Sequence, residues 1–140
     1  MNTSLCELTI SEASALIQAG QLSPGELTRA NLEQIEQLQP RLNAYITVVA
    51  EQATEQARVA EAEVRDPQMY RGPLHGIPIA LKDLYETAGI RTTAGSSFLK
   101  DHVPDEDAFV VKRLREAGAI LLGKLNMHEW ALGVINDNAH

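Results

Sequence analysis

The chain has 140 residues, of which 22% are charged, and it carries a formal net charge of −7. This length predicts a single domain, and the acidic balance without any basic run argues against direct binding of nucleic acid. Because the chain has no cationic, apolar leader and no continuous apolar stretch, we expect neither a signal peptide nor a membrane span. Cys6 is the single cysteine, so an intramolecular disulfide is impossible and a cytoplasmic location is favoured.

The first part of the chain carries start signals for two helices. Thr9–Glu12 has the form of a capping box, and apolar residues then recur at helical spacing as far as Gly20. Ser23–Glu26 repeats this signal with Pro24 at the first helical position. We expect the second helix to end at Pro40, because proline interrupts helical hydrogen bonding.

A strand-prone segment and a third helix follow. Residues 42–49 favour a strand, but the segment is short enough to leave a helix possible. Residues 50–65 are rich in Ala, Glu and Gln, which predicts a helix that ends at Asp66-Pro67. The apolar side of this predicted helix consists of Ala53, Ala57, Ala60 and Val64.

In the second half of the chain, predicted strands and a predicted helix alternate as they do in a parallel α/β unit. Ile77–Leu81 predicts an interior strand, although Pro78 is more typical of an edge strand or a bulge. Residues 83–105 have little periodicity, and loops of this length in compact domains tend to be functional. Ala119–Leu122 is a second apolar strand, and a helix between the two would make a parallel pair that is covered on both faces.

That helix should begin at Asp105 or Asp107, either of which can cap its first turn. It should end before Gly118, because glycine suits the left-handed position that follows a helix. We expect its inward face to consist of Phe109, Val110, Leu114 and Ala117.

Lys82 is the candidate catalytic residue, because it directly follows the apolar run Ile77–Leu81. Ligand sites of α/β sheets form at the carboxyl ends of strands, and removing water from a lysine favours the neutral amine that can act as a general base. One alternative is that its stem packs on the strand end while its ammonium reaches water or Asp83. A more distant alternative is a Schiff base with pyridoxal phosphate.

Four stretches of the chain follow one another in the order and spacing of a known pattern. They are Gly72–Asp83 (GPLHGIPIALKD), Thr92–Ser96 (TTAGS), Asp107–Ile120 and Gly123–Gly133 (GKLNMHEWALG). This pattern resembles that of the amidase signature family, serine hydrolases that cleave carboxamides. The resemblance covers nearly the whole chain.

The resemblance implies an α/β fold, with helices around a mixed, partly parallel sheet, of which this chain is an incomplete N-terminal part. It implies that Lys82 is the lysine of a Ser–cisSer–Lys triad. In such a triad the lysine accepts a proton from a serine with a cis peptide bond, and that serine activates a second serine that attacks the amide carbonyl. His75, His102, His128 and His140 show no metal-ligand spacing, so we expect no metal, and we expect no cofactor. The resemblance leaves the substrate-binding residues unknown.

The glycine-rich stretch that carries both serines in this family has no counterpart in the 140 residues, and residues 136–140 look like part of the segment that leads to it. Ser96 and Ser97 lack the glycine-rich surroundings and the following helix, so a turn or capping role is favoured for them. A base without its nucleophile and oxyanion donors cannot catalyse acyl transfer, so we expect the chain to be inactive alone. We also expect it to need the missing C-terminal segment or to self-associate, because an incomplete sheet exposes an edge and apolar faces.

We therefore interpret residues 1–140 as one partial amidase-type domain, with a mainly helical leader at 1–66 and the start of the α/β catalytic core at 72–140. The function would be that of the N-terminal part of an amidase that acts on a small amide. One alternative is a piece of the A subunit of a glutamine-dependent tRNA amidotransferase, which would have partner subunits. Another is a non-catalytic remnant or binding module.

Overall fold

The computed structural model describes residues 5–133. Within this range the chain forms four α-helices and three β-strands, joined by turns and by three short 3-10 turns. In chain order they are α1 (Ile10–Gln18), α2 (Pro24–Leu42), β1 (Tyr45–Val48), α3 (Ala50–Glu63), β2 (Pro78–Lys82), α4 (Phe109–Glu116) and β3 (Ile120–Leu125). The 3-10 turns lie at Leu5–Glu7, Ser97–Leu99 and Glu129–Ala131.

Both predicted capping boxes are confirmed at the starts of α1 and α2. The Thr9 hydroxyl accepts from the amide of Glu12 at 3.2 Å, and the Glu12 carboxylate accepts from the amide of Thr9 at 2.8 Å. Ser23 and Glu26 make the same reciprocal pair, each at 3.0 Å. These contacts satisfy backbone N–H groups that have no partner within the first turn of a helix, so each helix begins where the sequence predicts.

The predicted end of α2 at Pro40 is wrong. Pro40 lies inside the helix, which continues to Leu42 and ends at Asn43, where the backbone is left-handed with φ +46°. The amide of Asn43 donates to Gln39 O at 2.8 Å and closes the last turn. A proline so close to the end of a helix removes one hydrogen bond, and the helix still continues for two residues after it. Asparagine tolerates the left-handed conformation that ends the helix.

The sheet has the strand order β1-β3-β2, with β2 and β3 parallel and β1 and β3 antiparallel. The predicted parallel pair is therefore confirmed, with α4 in the connection between its strands. Among residues 5–133, however, β2 is an edge strand rather than the interior strand expected from Ile77–Leu81. Pro78 is its first residue, a position where a missing N–H costs no ladder hydrogen bond.

The start and the inward face of α4 differ from the prediction. Its N-cap is Ala108, without a side-chain hydrogen bond. Phe109 is 79% exposed, whereas Val111 is 2% exposed. Leu114, as expected, packs partly buried against the same cluster as Val111. Sequence spacing alone fits more than one helical face, and the sheet selects the face that contains Val111.

The residues at either end of α4 have separate roles. The carboxylate of Asp107 accepts from the amide of Ala88 at 2.7 Å and forms an ion pair with Arg115 at 2.9 Å. Asp107 therefore fastens the loop that precedes the helix instead of capping it. Gly118 follows the helix with φ +79°, which confirms its predicted left-handed conformation.

In the described part of the chain, buried apolar residues form three clusters on both faces of the sheet. The alanine side predicted for α3 packs on one face of β3, and the buried side of α4 packs on the opposite face. Both faces are covered because successive side chains of a strand point to opposite faces of the sheet. The α1–α2 cluster contains Ala13, Ile17, Leu22, Leu27 and Ile77. The α3 cluster contains Ala53, Ala57, Ala60, Ile120 and Leu122, and the α4 cluster contains Leu81, Ile90, Val111 and Leu121.

His75 joins the end of α3 to the turn after α4. Its ring is buried, its Nδ1 accepts from the amide of Arg71 at 3.2 Å, and its Nε2 lies 3.0 Å from Oε2 of Glu63. Since Nδ1 accepts a hydrogen bond, the ring is neutral and its proton is on Nε2, from which it is donated to Glu63. Gly118 faces the ring so closely that a Cβ there would lie 2.4 Å from His75 Cδ2.

In the described part of the chain, 5–133, none of the helices combines the length and the hydropathy needed to cross a bilayer.

Candidate active site

The carboxyl ends of the parallel strands β2 and β3 lie side by side. Lys82, the last residue of β2, is in register with Leu125, the last residue of β3. The amide of Asp83 donates to Leu125 O at 3.1 Å, so the pairing extends one residue beyond β2. This is the edge of a parallel sheet at which ligand sites form, and it is where the sequence predicts one.

Lys82 is exposed among the described residues, so the expected removal of its side chain from water is not found there. Side chains alternate across a strand, and Leu81, which precedes it, is buried against α4. Lys82 consequently projects from the other face of β2. Its assignment as the catalytic lysine stays a prediction.

The buried lysine of this region is Lys124, on the neighbouring strand β3. Its side chain is fully buried, and Nζ donates to Tyr85 O at 2.8 Å and to Thr92 Oγ1 at 2.7 Å. Nζ also lies 3.2 Å from Oδ1 of Asp83, which is fully buried as well. Two of the three donors of the ammonium group are thus used in hydrogen bonds, and the Asp83 carboxylate adds an ion pair.

Burial lowers the pKa of Lys124, although the negative charges of Asp83 and Glu86 oppose this shift. Taking an ammonium out of water disfavours its charged form, while a carboxylate within a few ångströms favours that form. The burial effect is the larger one at this position.

Asp83 ties the long loop back to the strand end. Its Oδ2 accepts from the amide of Thr93 at 2.7 Å and from the Thr93 hydroxyl at 2.6 Å, and its backbone carbonyl accepts from the amide of Ala94 at 3.0 Å. Its Oδ1 contacts Lys124 as an ion pair without hydrogen-bond geometry to any described group. Charge-assisted bonds of this kind are short and directional, so residues 83–94 form a closed loop with a defined shape.

Ser96 has the capping role that its sequence surroundings favour. Its hydroxyl accepts from the amide of Phe98 at 3.3 Å at the start of the 3-10 turn and donates to Oε1 of Glu129 at 2.6 Å. Ser97 is exposed at the first position of the same turn. The hydroxyl of Ser96 is therefore directed to Glu129 rather than to Lys82.

A cleft of about 390 Å³ lies beside this loop, between its return segment and the start of β1. Most of the residues that line it have hydroxyl, amide or cationic side chains. The polar and charged residues that line it are Asn43, Tyr45, Arg91, Thr93, Ser96, Ser97, Lys100 and Asn126. The Arg91 guanidinium donates to Lys100 O at 3.2 Å and to Ile46 O at 3.3 Å, so it connects two backbone segments that line the cleft.

Across residues 5–133 the histidines, cysteine and carboxylates do not form any group of three or more that could hold a metal ion. The buried polar cluster at the ends of β2 and β3 contains Lys124, Asp83, Thr92 and Thr93, which hydrogen bonds and an ion pair join. Lys82 is exposed and projects from the other face of β2.

Comparison with known proteins decides the family. The model of the Amidase family matches residues 26–139 of this chain. The chain belongs to the amidase family. This amidase-family chain has the mixed α/β fold expected from the resemblance.

Two curated relatives are A subunits of glutamyl-tRNA(Gln) amidotransferase. The one from Dehalococcoides mccartyi (strain ATCC BAA-2266 / KCTC 15142 / 195) is 46% identical over 137 residues, which are 98% of this chain and 28% of that protein. The one from Moorella thermoacetica (strain ATCC 39073 / JCM 9320) is 48% identical over 132 residues, which are 94% of this chain and 27% of that protein. The chain thus spans little more than a quarter of the length of these relatives.

The fold is shared with solved structures. The peptide amidase from Stenotrophomonas maltophilia has a TM-score of 0.84 and 43% identity, over 94% of this chain and 27% of that chain. Such a high score over nearly all of the amidase-family chain means that its helices and mixed sheet are arranged as in a known amidase.

Sequence reasoning missed the ion pair between Lys124 and Asp83. The signal for it was a lysine inside the run Ile120–Leu125, which is otherwise apolar or glycine. A charged side chain within a buried strand requires an oppositely charged partner, and Asp83 follows the adjacent parallel strand. Strand pairing is a long-range feature, so the partner became evident only in the folded chain.

Proposed function

We propose that this chain is the N-terminal part of an amidase, a hydrolase of carboxamide C–N bonds, and that Lys82 is its catalytic base. The observation that carries the proposal is the position of Lys82 at the carboxyl end of β2, next to the end of β3, in a chain of the amidase family. Residues at this edge of a parallel sheet reach a ligand without disturbing the sheet.

In the proposed reaction, the neutral amine of Lys82 accepts a proton from one serine, which accepts the proton of a second serine. The second serine attacks the amide carbonyl and forms an acyl-enzyme, while the C–N bond breaks and the leaving amine takes up the proton. Water then hydrolyses the acyl-enzyme. Both serines would belong to the remaining part of the protein, since the chain spans about 28% of its relatives.

The exposure of Lys82 is compatible with this role if the rest of the protein covers this strand end. Water around an amine stabilises its protonated form, and covering the amine favours the neutral form that a general base requires. Within residues 5–133 the outer edge of β2 has no partner strand, so a further strand can pair on it. In this proposal residues 1–140 form one partial domain that the remainder completes.

A second candidate function is that of the A subunit of a glutamine-dependent tRNA amidotransferase. The curated relatives at 46% and 48% identity are A subunits of glutamyl-tRNA(Gln) amidotransferase, and this observation favours it. The same base would then release ammonia from glutamine, and partner subunits would use that ammonia. The acidic chain itself would not contact the tRNA.

The role of Lys82 can be tested in a chimera in which this chain replaces the equivalent quarter of the Stenotrophomonas maltophilia peptide amidase. Loss of a general base lowers kcat by about 10²–10⁴-fold, so Lys82→Ala should lower amide hydrolysis by at least about 100-fold. Lys112→Ala is the matched control, because the Lys112 side chain is 51% exposed and its ion pair, at 3.4 Å, is with the exposed Glu106. Activity of Lys82→Ala within threefold of the control would overturn the proposal.

A second chimera separates the two candidate functions. In it, the chain replaces the equivalent part of the Dehalococcoides mccartyi amidotransferase protein, which is then assayed with and without the other components of that amidotransferase. Glutamine hydrolysis that rises when these components are added would favour the amidotransferase. Hydrolysis of simple amides that is independent of them would favour the amidase.

A further inference from the structure

We propose that the buried ion pair between Asp83 and Lys124 positions Lys82, so that both are positioning residues for the proposed reaction. This inference rests on the proposed role of Lys82. It concerns how the strand end that carries Lys82 is held in place. Neither Asp83 nor Lys124 would contact substrate.

The backbone of Lys82 is held on one side by β3 and on the other by a turn. Lys82 pairs with Leu125, and the next amide, that of Asp83, donates to Leu125 O at 3.1 Å. The carbonyl of Lys82 accepts from the amide of Tyr85 at 3.1 Å. The chain therefore turns over residues 82–85 while the amide of Asp83 still pairs with β3, and the geometry of that turn sets where the Lys82 side chain begins.

The ion pair locks this turn from inside the protein. Lys124 Nζ lies 3.2 Å from the carboxylate of Asp83 and donates to the carbonyl of Tyr85 at 2.8 Å. It therefore contacts the first and the third residue after Lys82. Its contact with Thr92 Oγ1 at 2.7 Å and the two bonds from Thr93 to Asp83 join the far end of the loop to the same point. One buried cluster thus fixes both ends of the loop next to Lys82.

Burying two charges is a costly way to obtain stability. Desolvation can offset the attraction within a buried ion pair, so its net contribution to folding is small, whereas removal of one partner is strongly unfavourable. The pair does provide a fixed distance between β3 and the turn after β2. Misplacement of a reacting group by about 1 Å can lower a rate by about 100-fold, so this fixed distance matters for a base at Lys82.

Hydrogen exchange in the chimera with the peptide amidase tests the positioning without any assay of activity. Removal of one partner of a buried pair should speed the exchange of the Tyr85, Thr93 and Ala94 amides in Lys124→Met by at least about 100-fold. Amides in the middle of α2 should keep their rates, because the effect is local. Lys112→Met is the matched control and should leave all these rates unchanged.

Unchanged protection of the three loop amides in Lys124→Met would overturn the inference, and so would a uniform increase that includes α2. If Lys124→Met does not fold, Thr92→Val carries the same test, because it removes one of the three Nζ contacts and leaves the charges paired. Loss of one hydrogen bond should speed exchange at Tyr85 by about fivefold. Exchange at the control rate in this variant would also overturn the inference.

Kinetics of the chimera with the peptide amidase add a readout that a purely structural role would not change. Positioning predicts that Asp83→Asn and Lys124→Met each lower kcat per titrated active site by about 100-fold, with KM within about threefold. The double variant should lose no more than the worse single variant, because the two residues act as a unit. An unchanged kcat per titrated site, with Lys82→Ala inactive, would overturn the inference. An active Lys82→Ala would overturn the proposed function, while hydrogen exchange would still decide whether the pair holds the turn.

Discussion

Replacement of Gly118 by alanine should destabilise the chain by two separable effects. Gly118 adopts φ +79°, and an added Cβ would lie 2.4 Å from Cδ2 and 2.9 Å from Cγ of His75. A left-handed conformation costs a residue with a Cβ about 1–2 kcal/mol. The overlap with His75 adds about 1–3 kcal/mol, as overpacking in a core does. The expected total for Gly118→Ala is therefore about 2–5 kcal/mol.

The imidazole of His75 cannot move aside without cost. Both of its ring nitrogens are engaged, Nδ1 with the amide of Arg71 and Nε2 with Glu63. Rotation of the ring would leave these buried groups without partners. The overlap must therefore be relieved by the backbone or by loss of these hydrogen bonds.

Gly89→Ala is the matched control for the backbone effect. Gly89 has φ +72°, and none of the heavy atoms of residues 5–133 lies within 4 Å of an added Cβ, so it should lose only the conformational part, about 1–2 kcal/mol. Urea denaturation of the two variants measures the difference. Equal free energies of unfolding within about 0.5 kcal/mol would refute the role of the His75 contact. In the double variant His75→Ala/Gly118→Ala the overlap should disappear, which gives a coupling energy of about 1–3 kcal/mol.

Two further predictions concern the pH dependence of stability and the core. Burial lowers the pKa of His75 below its ordinary 6.5, so the unfolded chain binds a proton that the folded chain excludes. The free energy of unfolding should fall as the pH drops below about 6.5, by at most about 1.4 kcal/mol per pH unit. Urea denaturation between pH 5 and 7 measures this, and the variant His75→Gln should lack this part of the pH dependence. Met127 is fully buried and Phe98 is 85% exposed, so Met127→Ala should cost about 2–5 kcal/mol and Phe98→Ala less than about 0.5 kcal/mol. Similar midpoints of thermal unfolding for these two variants would contradict the described packing.

The helix starts were predictable because their determinants are local. A capping box needs two side chains three residues apart, and both Thr9 with Glu12 and Ser23 with Glu26 meet that condition in the structure. The position of Gly118 after α4 is local in the same sense, since only the backbone conformation at one residue matters. The end of α2 was predicted wrongly because Pro40 and Asn43 are both residues that can end a helix. The sequence alone does not show which of the two ends it.

The face of α4 and the place of β2 in the sheet could not be predicted from spacing. Val111 rather than Phe109 is buried, because the sheet contacts one side of a helix whose apolar residues extend beyond a single stripe. Likewise Ile77–Leu81 has the continuous apolar character of an interior strand, yet β2 lies at the edge of the described sheet. An apolar run indicates that both faces of a strand are covered. It does not indicate whether both edges of the strand are paired with other strands.

The sequence by itself determined that a lysine stands at the carboxyl end of an apolar strand, and the motifs around Lys82 identified the family. Only the tertiary structure decided which lysine is buried. Lys82 is exposed, whereas Lys124, from the adjacent parallel strand, is buried against Asp83. The physical reason is that burial of a charge depends on partners brought together across the sheet, and Asp83 and Lys124 are neighbours through strand pairing rather than along the chain.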